Sequence, residues 1–328
     1  MDFPRPPKWK RVLKRTLPGL AGVFAAMAGA GFALQSWRDA HLPPAKGSFV
    51  VIDGRNMHYR VSGAGRCTFV LEAGLGDYAD SWGDLESGFA AMSRTFVYDR
   101  AGLGWSDSAH GARSVGAIVD DLHRTLAAAA IPKPYILVGH SFGGLTQTLY
   151  AQRYASEVAG LLLIDPSHKD QLKVLPAPPA WAAFVMGQLS RAAPIGLPQA
   201  LMPSRDRVVL QSKHVQAAAA EYRVMIERED PWRGVPVSLG NMPIYVMTSG
   251  TLLQLPGKTD AERKAVHHAW SDLHAQLLAA STSAIRRHDV IADAPHYLQR
   301  ARPDLVLSAA RELLERIEAE PANGPGRP

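Results

Sequence analysis

The chain has 328 residues, 47% of them hydrophobic, so it can bury a full core with residues to spare and is not disordered over most of its length. Its formal charge of +6 invites a nucleic-acid partner, but six of the 36 basic residues (Arg5, Lys8, Lys10, Arg11, Lys14 and Arg15) lie in residues 1–16 beside one acid, Asp2. The remainder is nearly balanced and holds no basic stripe to grip phosphates, which argues against nucleic acid, while the single cysteine, Cys67, excludes an intramolecular disulfide and a cysteine-based metal site.

Residues 1–16 read as a basic cytoplasmic tail. Leu17 to Leu34 follow without a charge, and at about 1.5 Å per helical residue this run reaches roughly 27 Å, just enough to cross a hydrocarbon core. Residues 17–36 are therefore expected to form a transmembrane helix or signal segment. Positive charge before it and Trp37 after it place the N-terminus inside and the folded body outside the cytoplasm, anchored to the membrane by this single helix. Ala28-Gly29-Ala30 has the small-x-small form of a signal-peptidase site, so secretion after cleavage is the competing expectation.

Residues 37–48, with Pro43-Pro44 and Gly47, read as a linker. A hairpin is predicted next, Phe49–Ile52 and Met57–Val61 around Asp53-Gly54. Cys67–Ala73 is an apolar strand ending at Gly74-Leu75-Gly76, and Thr95–Tyr98 another, ending at Asp99-Arg100-Ala101-Gly102-Leu103-Gly104. Tyr78–Met92 and Val115–Ala130 read as helices. Tyr135–Val138 and Gly160–Ile164 are further apolar strands, the second ending at Asp165-Pro166. Strands alternating with helices imply a mainly parallel sheet covered on both faces, with reactive groups collected at the carboxyl ends of the strands.

After Asp165 the pattern breaks. Residues 167–240 are rich in proline and carry helical runs at Trp181–Leu189 and Val208–Glu229, which reads as a helical cap inserted into the core. Trp181, Phe184, Met186 and Trp232 are expected to include part of a binding roof. The sheet resumes at Ile244–Met247. A helix over Asp260–Ala280, a strand over Ile285–Ile291 and a closing helix over Asp304–Ile317 complete a core of residues 49–166 and 241–318, and 319–328 read as a flexible tail.

The chemistry is concentrated in Gly139-His140-Ser141-Phe142-Gly143, placed between the strand at Tyr135–Val138 and the helical pattern Leu145–Tyr154. A sharp strand-to-helix turn presses backbone on backbone, so positions 139 and 143 need residues without a Cβ, and Ser141 is presented with its hydroxyl exposed at the sheet edge. The following helix directs partial positive charge at the place where an oxyanion would form.

With its strand and helix, this motif resembles the nucleophile turn of the α/β-hydrolase superfamily, specifically its capped serine members with esterase- or lipase-like activity. Asp99-Arg100-Ala101-Gly102-Leu103-Gly104-Trp105-Ser106-Asp107 resembles the superfamily's D-R-x-G-x-G-x-S-D segment, and His296 with Arg302-Pro303-Asp304 its C-terminal histidine loop. The likeness spans nearly all of 49–318 and implies an eight-stranded sheet and a Ser-acid-His triad. Two positions depart from the pattern. Ala73-Gly74 stands where many members have His-Gly, and the usual Gly-x-x-Asp after the seventh strand is absent from Ser249-Gly250-Thr251-Leu252-Leu253-Gln254.

The resemblance makes Ser141 the nucleophile and His296 the base, His296 being the histidine in the final loop; His140 belongs to the turn, while His267, His268 and His274 lie on a helix without accompanying metal ligands. Asp165, at the end of the sixth strand, is preferred as the acid, and some capped relatives place theirs there. Asp260 is the alternative, although it opens a helix and is also explained as an N-cap. The backbone N–H groups of Leu75 and Phe142 are the implied oxyanion donors. A small-molecule acyl substrate is expected, an ester or related compound cleaved through an acyl-enzyme, with no cofactor and no metal. Acyl transfer to an alcohol and a non-catalytic binding scaffold remain alternatives.

Overall fold

Asp53 and Gly54 have positive φ, 48° and 73°, as a two-residue type I′ turn requires, and they join β1 (Ser48–Ile52) to β2 (Arg55–Ser62). The computed structural model describes residues 8–175, 180–201, 204, 206–227, 231–251 and 258–319, with side chains in the first helix from Gly22 onward. β3 (Thr68–Glu72), β4 (Arg94–Tyr98), β5 (Tyr135–His140), β6 (Val158–Ile164), β7 (Ile244–Ser249) and β8 (Arg286–Ile291) complete one eight-stranded sheet in the order β1-β2-β4-β3-β5-β6-β7-β8. β2 is antiparallel to β1 and β4, and every other pairing is parallel. The expected eight-stranded, mainly parallel sheet is met.

The period of two along the central strands divides their side chains between two cores. Val70, Leu137, Leu161 and Leu163 face one side, where α3 (Val115–Ala128) contributes Ile118 and Leu122 and α4 (Phe142–Arg153) contributes Leu145 and Leu149. Phe69, Leu71, Ile136, Val138, Leu162 and Ile164 face the other. There they meet Phe89 of α2 (Leu85–Ala90) and Val306, Leu313 and Ile317 of α10 (Pro303–Ala319). Strands buried on both faces read as continuous apolar runs, which is why β3, β5 and β6 are so plain in the sequence.

α5 (Ala180–Arg191), α6 (Leu197–Leu201) and α7 (Ser212–Ile226) lie in the chain inserted between β6 and β7. α8 (Asp260–Ala279) and the short α9 (Leu298–Ala301) flank β8 in sequence. The helix expected over Tyr78–Met92 is divided into a 3-10 turn at Ala79–Trp82 and α2, because Gly83 between them has φ 51° and no α-helix continues through that conformation. Asp260 is the first helical residue of α8 and not its cap. Thr259 caps the helix, in a reciprocal box with Glu262.

The N-terminal segment also differs from expectation. A single 33-residue helix, α1 (Lys8–Ala40), takes in the start of the expected linker, and among the described residues no helix is long and apolar enough to cross a membrane. The transmembrane helix expected at 17–36 is thus not supported. The far end of α1 is committed to protein contact: a Cβ at Gly31 would lie 2.4 Å from the carbonyl oxygen of Ile195, and buried Gln35 donates through Nε2 to Leu210 O at 2.9 Å and Asp39 Oδ1 at 2.8 Å. Residues 1–7, the side chains of 8–21 (most of the basic segment and the first part of 17–36) and the tail from residue 320 onward lie outside the described residues.

Candidate active site

β5 delivers the chain to Ser141 at the carboxyl edge of the sheet, and α4 starts at the next residue. Ser141 has φ 51° and ψ −118°, a conformation that disfavours any residue with a side chain and marks a functional constraint when held by its surroundings. They do hold it: Ser141 N donates to Ile164 O at 3.0 Å, and Ser141 O accepts from Ser167 N at 2.8 Å. A Cβ at Gly139 would meet Gly143 O at 2.6 Å and one at Gly143 would meet Glu72 O at 2.3 Å, so both glycines are steric requirements of this turn. The sequence suggested an exposed hydroxyl, but Ser141 is only 8% exposed, with His296 packed against it.

Asp165 ends β6, also at positive φ (43°). Its Oδ2 lies 2.5 Å from His296 Nδ1, and His296 Nε2 lies 2.9 Å from Ser141 Oγ. Three sequence-predicted residues, from the ends of β5 and β6 and from the loop after β8, are thus brought into one line. Asp260 is not. Its carboxylate is exposed on α8 and paired with Arg263. The Gly-x-x-Asp region at Leu252–Gln254 lies outside the described residues.

Asp165 is buried, which on its own would favour the neutral acid. Hydrogen bonding and charge from His296, with contributions from His274 and Ser249, overcome burial and hold its carboxyl well below the usual carboxylate range. Ser249 donates from both N (3.1 Å, to Oδ1) and Oγ (2.8 Å, to Oδ2), and Trp270 Nε1 donates to Oδ1 at 3.1 Å. Neither residue was singled out in the sequence, since their relevance depends on β7 lying beside β6 and on α8 crossing behind it. His274, placed from sequence on a helix without metal ligands, is buried: Nε2 donates to Pro166 O at 2.8 Å, which leaves Nδ1 to accept from Thr248 Oγ1 at 2.6 Å. Burial keeps it neutral, lowering its pKa to about 4.

His140 Nε2 contacts His296 O at 3.0 Å. Burial, reinforced by the nearby His296, lowers the His140 pKa to about 3, so it is a neutral support for the histidine loop. Ala73-Gly74-Leu75-Gly76 continues β3 beside the start of α4, where a Cβ at Gly143 would meet Ala73 O at 2.6 Å. Arg100 grips it through Nη1 to Ala73 O (2.6 Å) and Nη2 to Gly74 O (2.7 Å), giving the Asp99–Asp107 segment a concrete structural task. Leu75 belongs to this strap, and Phe142 is the first residue of α4, directly after Ser141.

The four expected roof residues part company. Trp181 and Phe184 are exposed, Trp232 is buried in the core that includes α3 and α4, and Met186 lines an apolar cavity of about 350 Å³ in the inserted segment with Leu189, Val209 and Leu210. Among the described residues no group of histidine, cysteine and carboxylate side chains is arranged to hold a metal ion.

Comparison with known proteins places this geometry. Residues 66–228 match the family model described as serine aminopeptidase, S33. The uncharacterized protein YqjL of Bacillus subtilis is 26% identical over 269 residues, covering 80% of this chain and 92% of that protein. A probable hydrolytic enzyme of Pseudomonas aeruginosa PAO1 superposes with a TM-score of 0.62 at 20% identity, over 83% of this chain and 94% of its own. The enol-lactonase of Burkholderia xenovorans LB400 does so with a TM-score of 0.57 at 20% identity, over 82% and 100%. The sheet order, the serine turn between β5 and α4 and these solved structures show that the chain has the α/β-hydrolase fold.

Proposed function

We propose that this protein is a serine hydrolase that cleaves carboxylic esters or related acyl compounds through an acyl-enzyme. The observation that carries the reading is the line Asp165–His296–Ser141, with separations of 2.5 Å and 2.9 Å, ending on a serine held at positive φ at a helix N-terminus. His296 Nε2 takes the hydroxyl proton as Ser141 Oγ attacks the acyl carbon, and Asp165 holds the ring in the tautomer that leaves Nε2 free to accept. Leu75 N–H and Phe142 N–H receive the oxyanion, and the start of α4 adds its positive dipole end. The tetrahedral species collapses as His296 returns the proton to the leaving alcohol. Water, activated by the same imidazole, then releases the acid. Lactone cleavage, the activity named for the enol-lactonase, falls within this chemistry.

The test is a panel of p-nitrophenyl esters, lactones and p-nitroanilides of graded acyl length, run with wild type and Ser141→Ala. Wild type should hydrolyse at least the activated esters, and Ser141→Ala should lose about a thousandfold or more. Equal background rates in the two folded proteins would contradict the reading and favour a binding scaffold. Adding methanol separates hydrolysis from acyl transfer, since a transferase yields methyl ester in place of acid.

Attachment to a membrane through α1, with the folded body outside the cytoplasm, is a separate proposal. It rests on the basic residues of 1–16 and on exposed Val23, Phe24 and Met27. Recovery of the full chain in a carbonate-washed membrane pellet is the expected outcome; recovery from the culture medium with residues 1–30 removed would mean secretion.

A further inference from the structure

Gly76, next to the proposed oxyanion donor Leu75, is held through both its N–H and its C=O by one helix of the inserted segment. Gly76 N donates to Glu221 Oε2 at 3.0 Å, and Gly76 O lies 2.8 Å from His214 Nε2. His214 Nδ1 accepts from Gly104 N at 3.1 Å, so the ring proton sits on Nε2 and Nε2 donates to Gly76 O. Burial lowers the His214 pKa and keeps this neutral tautomer. Glu221 is completely buried and also receives Arg100 (Nε at 2.7 Å, Nη2 at 2.8 Å) and Arg113 (Nη2 at 3.0 Å).

His214, Ala218 and Glu221 recur along one face of α7 at helical spacing, and that face is seated on the strap. Gly76 has φ 67°, and a Cβ there would lie 3.1 Å from Ala218 Cβ. Arg100 joins the two attachments: it holds Ala73 O and Gly74 O with its guanidinium while the same group pairs with Glu221.

We infer that His214 and Glu221 are positioning residues that aim the Leu75 N–H, so that the oxyanion site is assembled only while α7 is seated on the core. The inference rests on the hydrolase reading above and gives the inserted segment a role: it completes the site. An amide that is displaced by a fraction of an ångström still leaves substrate binding intact but stabilises the developing charge poorly, so the effect belongs in kcat.

The experiment uses the full chain with a p-nitrophenyl ester and counts reactive Ser141 by stoichiometric titration with a p-nitrophenyl phosphonate. His214→Phe keeps the ring volume and removes both hydrogen bonds. Its kcat per titrated site should fall about tenfold to a hundredfold, below the full loss of an oxyanion donor, with KM within about threefold. His214→Gln, whose amide can again donate to Gly76 O, should recover part of the loss. A merely structural role would instead lower the number of titratable sites and leave kcat per site unchanged, which would overturn the inference.

Should His214→Phe not fold, amide hydrogen exchange on the wild type answers the same question. Gly76 N–H should exchange together with the α7 amides around Glu221; exchange of Gly76 while α7 stays protected would overturn the clamp. If wild type shows no Ser141-dependent turnover, the inference falls with the reading beneath it. If wild type turns over and His214→Phe keeps its kcat per site, the clamp alone falls.

Discussion

Ser141 and Asp165 are both non-glycine residues at positive φ, and both stand at carboxyl ends of neighbouring parallel strands. Such conformations cost of order 1–3 kcal/mol each and persist where the surroundings over-determine them. Here the Ser141–Ile164 and Asp165–Met247 backbone hydrogen bonds do so. The sequence pointed to Ser141 through two glycines whose steric need the structure bears out, and to His296 through chain order. It preferred Asp165 with Asp260 as the alternative, because the choice depends on which carboxylate lies beside a histidine 131 residues away, a matter of sheet order and not of local pattern. Asp165→Asn is expected to cost roughly 10⁴-fold in kcat, while Asp260→Asn leaves turnover within about twofold; steady-state kinetics on folded variants decides between them. Glu72 supports a prediction of another kind. Complete burial raises its pKa to about 7, partly offset by Arg100. The folded state therefore keeps a proton that the unfolded chain releases above its ordinary value of 4.5, so this residue's contribution to stability declines as pH rises from about 4.5 to about 7. Urea titrations should show that decline in wild type and a flatter profile in Glu72→Gln; equal slopes would contradict the assignment.

At the scale of elements, the strands were legible because burial on both faces makes them continuous apolar runs, and the helices because one face alternates with the sheet. Tyr78–Met92 was misread as one helix because an apolar period cannot reveal that Gly83 turns to positive φ between two short pieces. The supports of the acid were not legible either: Ser249 reaches Asp165 because β7 pairs in parallel with β6, and Trp270 reaches it from α8. Trp270→Phe removes one donor to the carboxylate with little change in packing, and should lower kcat about tenfold while leaving KM nearly unchanged. A loss confined to thermal stability would mean that the indole only packs. Gly143→Ala tests the contact of α4 with the strap: a Cβ 2.3 Å from Glu72 O forces the two apart, so activity should fall well before the protein unfolds on heating.

Across the whole molecule, one sheet edge gathers a serine, a histidine and an aspartate from three separate stretches of chain, while α1 packs on the inserted segment. α1 was expected to act as a separable anchor, yet Gly31 and Gln35 tie its far end to the inserted segment. Gly31→Leu should undock that end, visible as faster proteolysis within 180–201, with α7 still seated and turnover of a small soluble ester kept within a few fold; unchanged proteolysis would show that the contact does not restrain the segment. The chemistry at the sheet edge is tested most directly by rapid-quench peptide mapping after mixing the full chain with a p-nitrophenyl ester. An acyl adduct on Ser141 should form with the burst of p-nitrophenol and disappear at the rate of turnover. Turnover with the adduct on another residue, or with Ser141 never acylated, would contradict this chemistry.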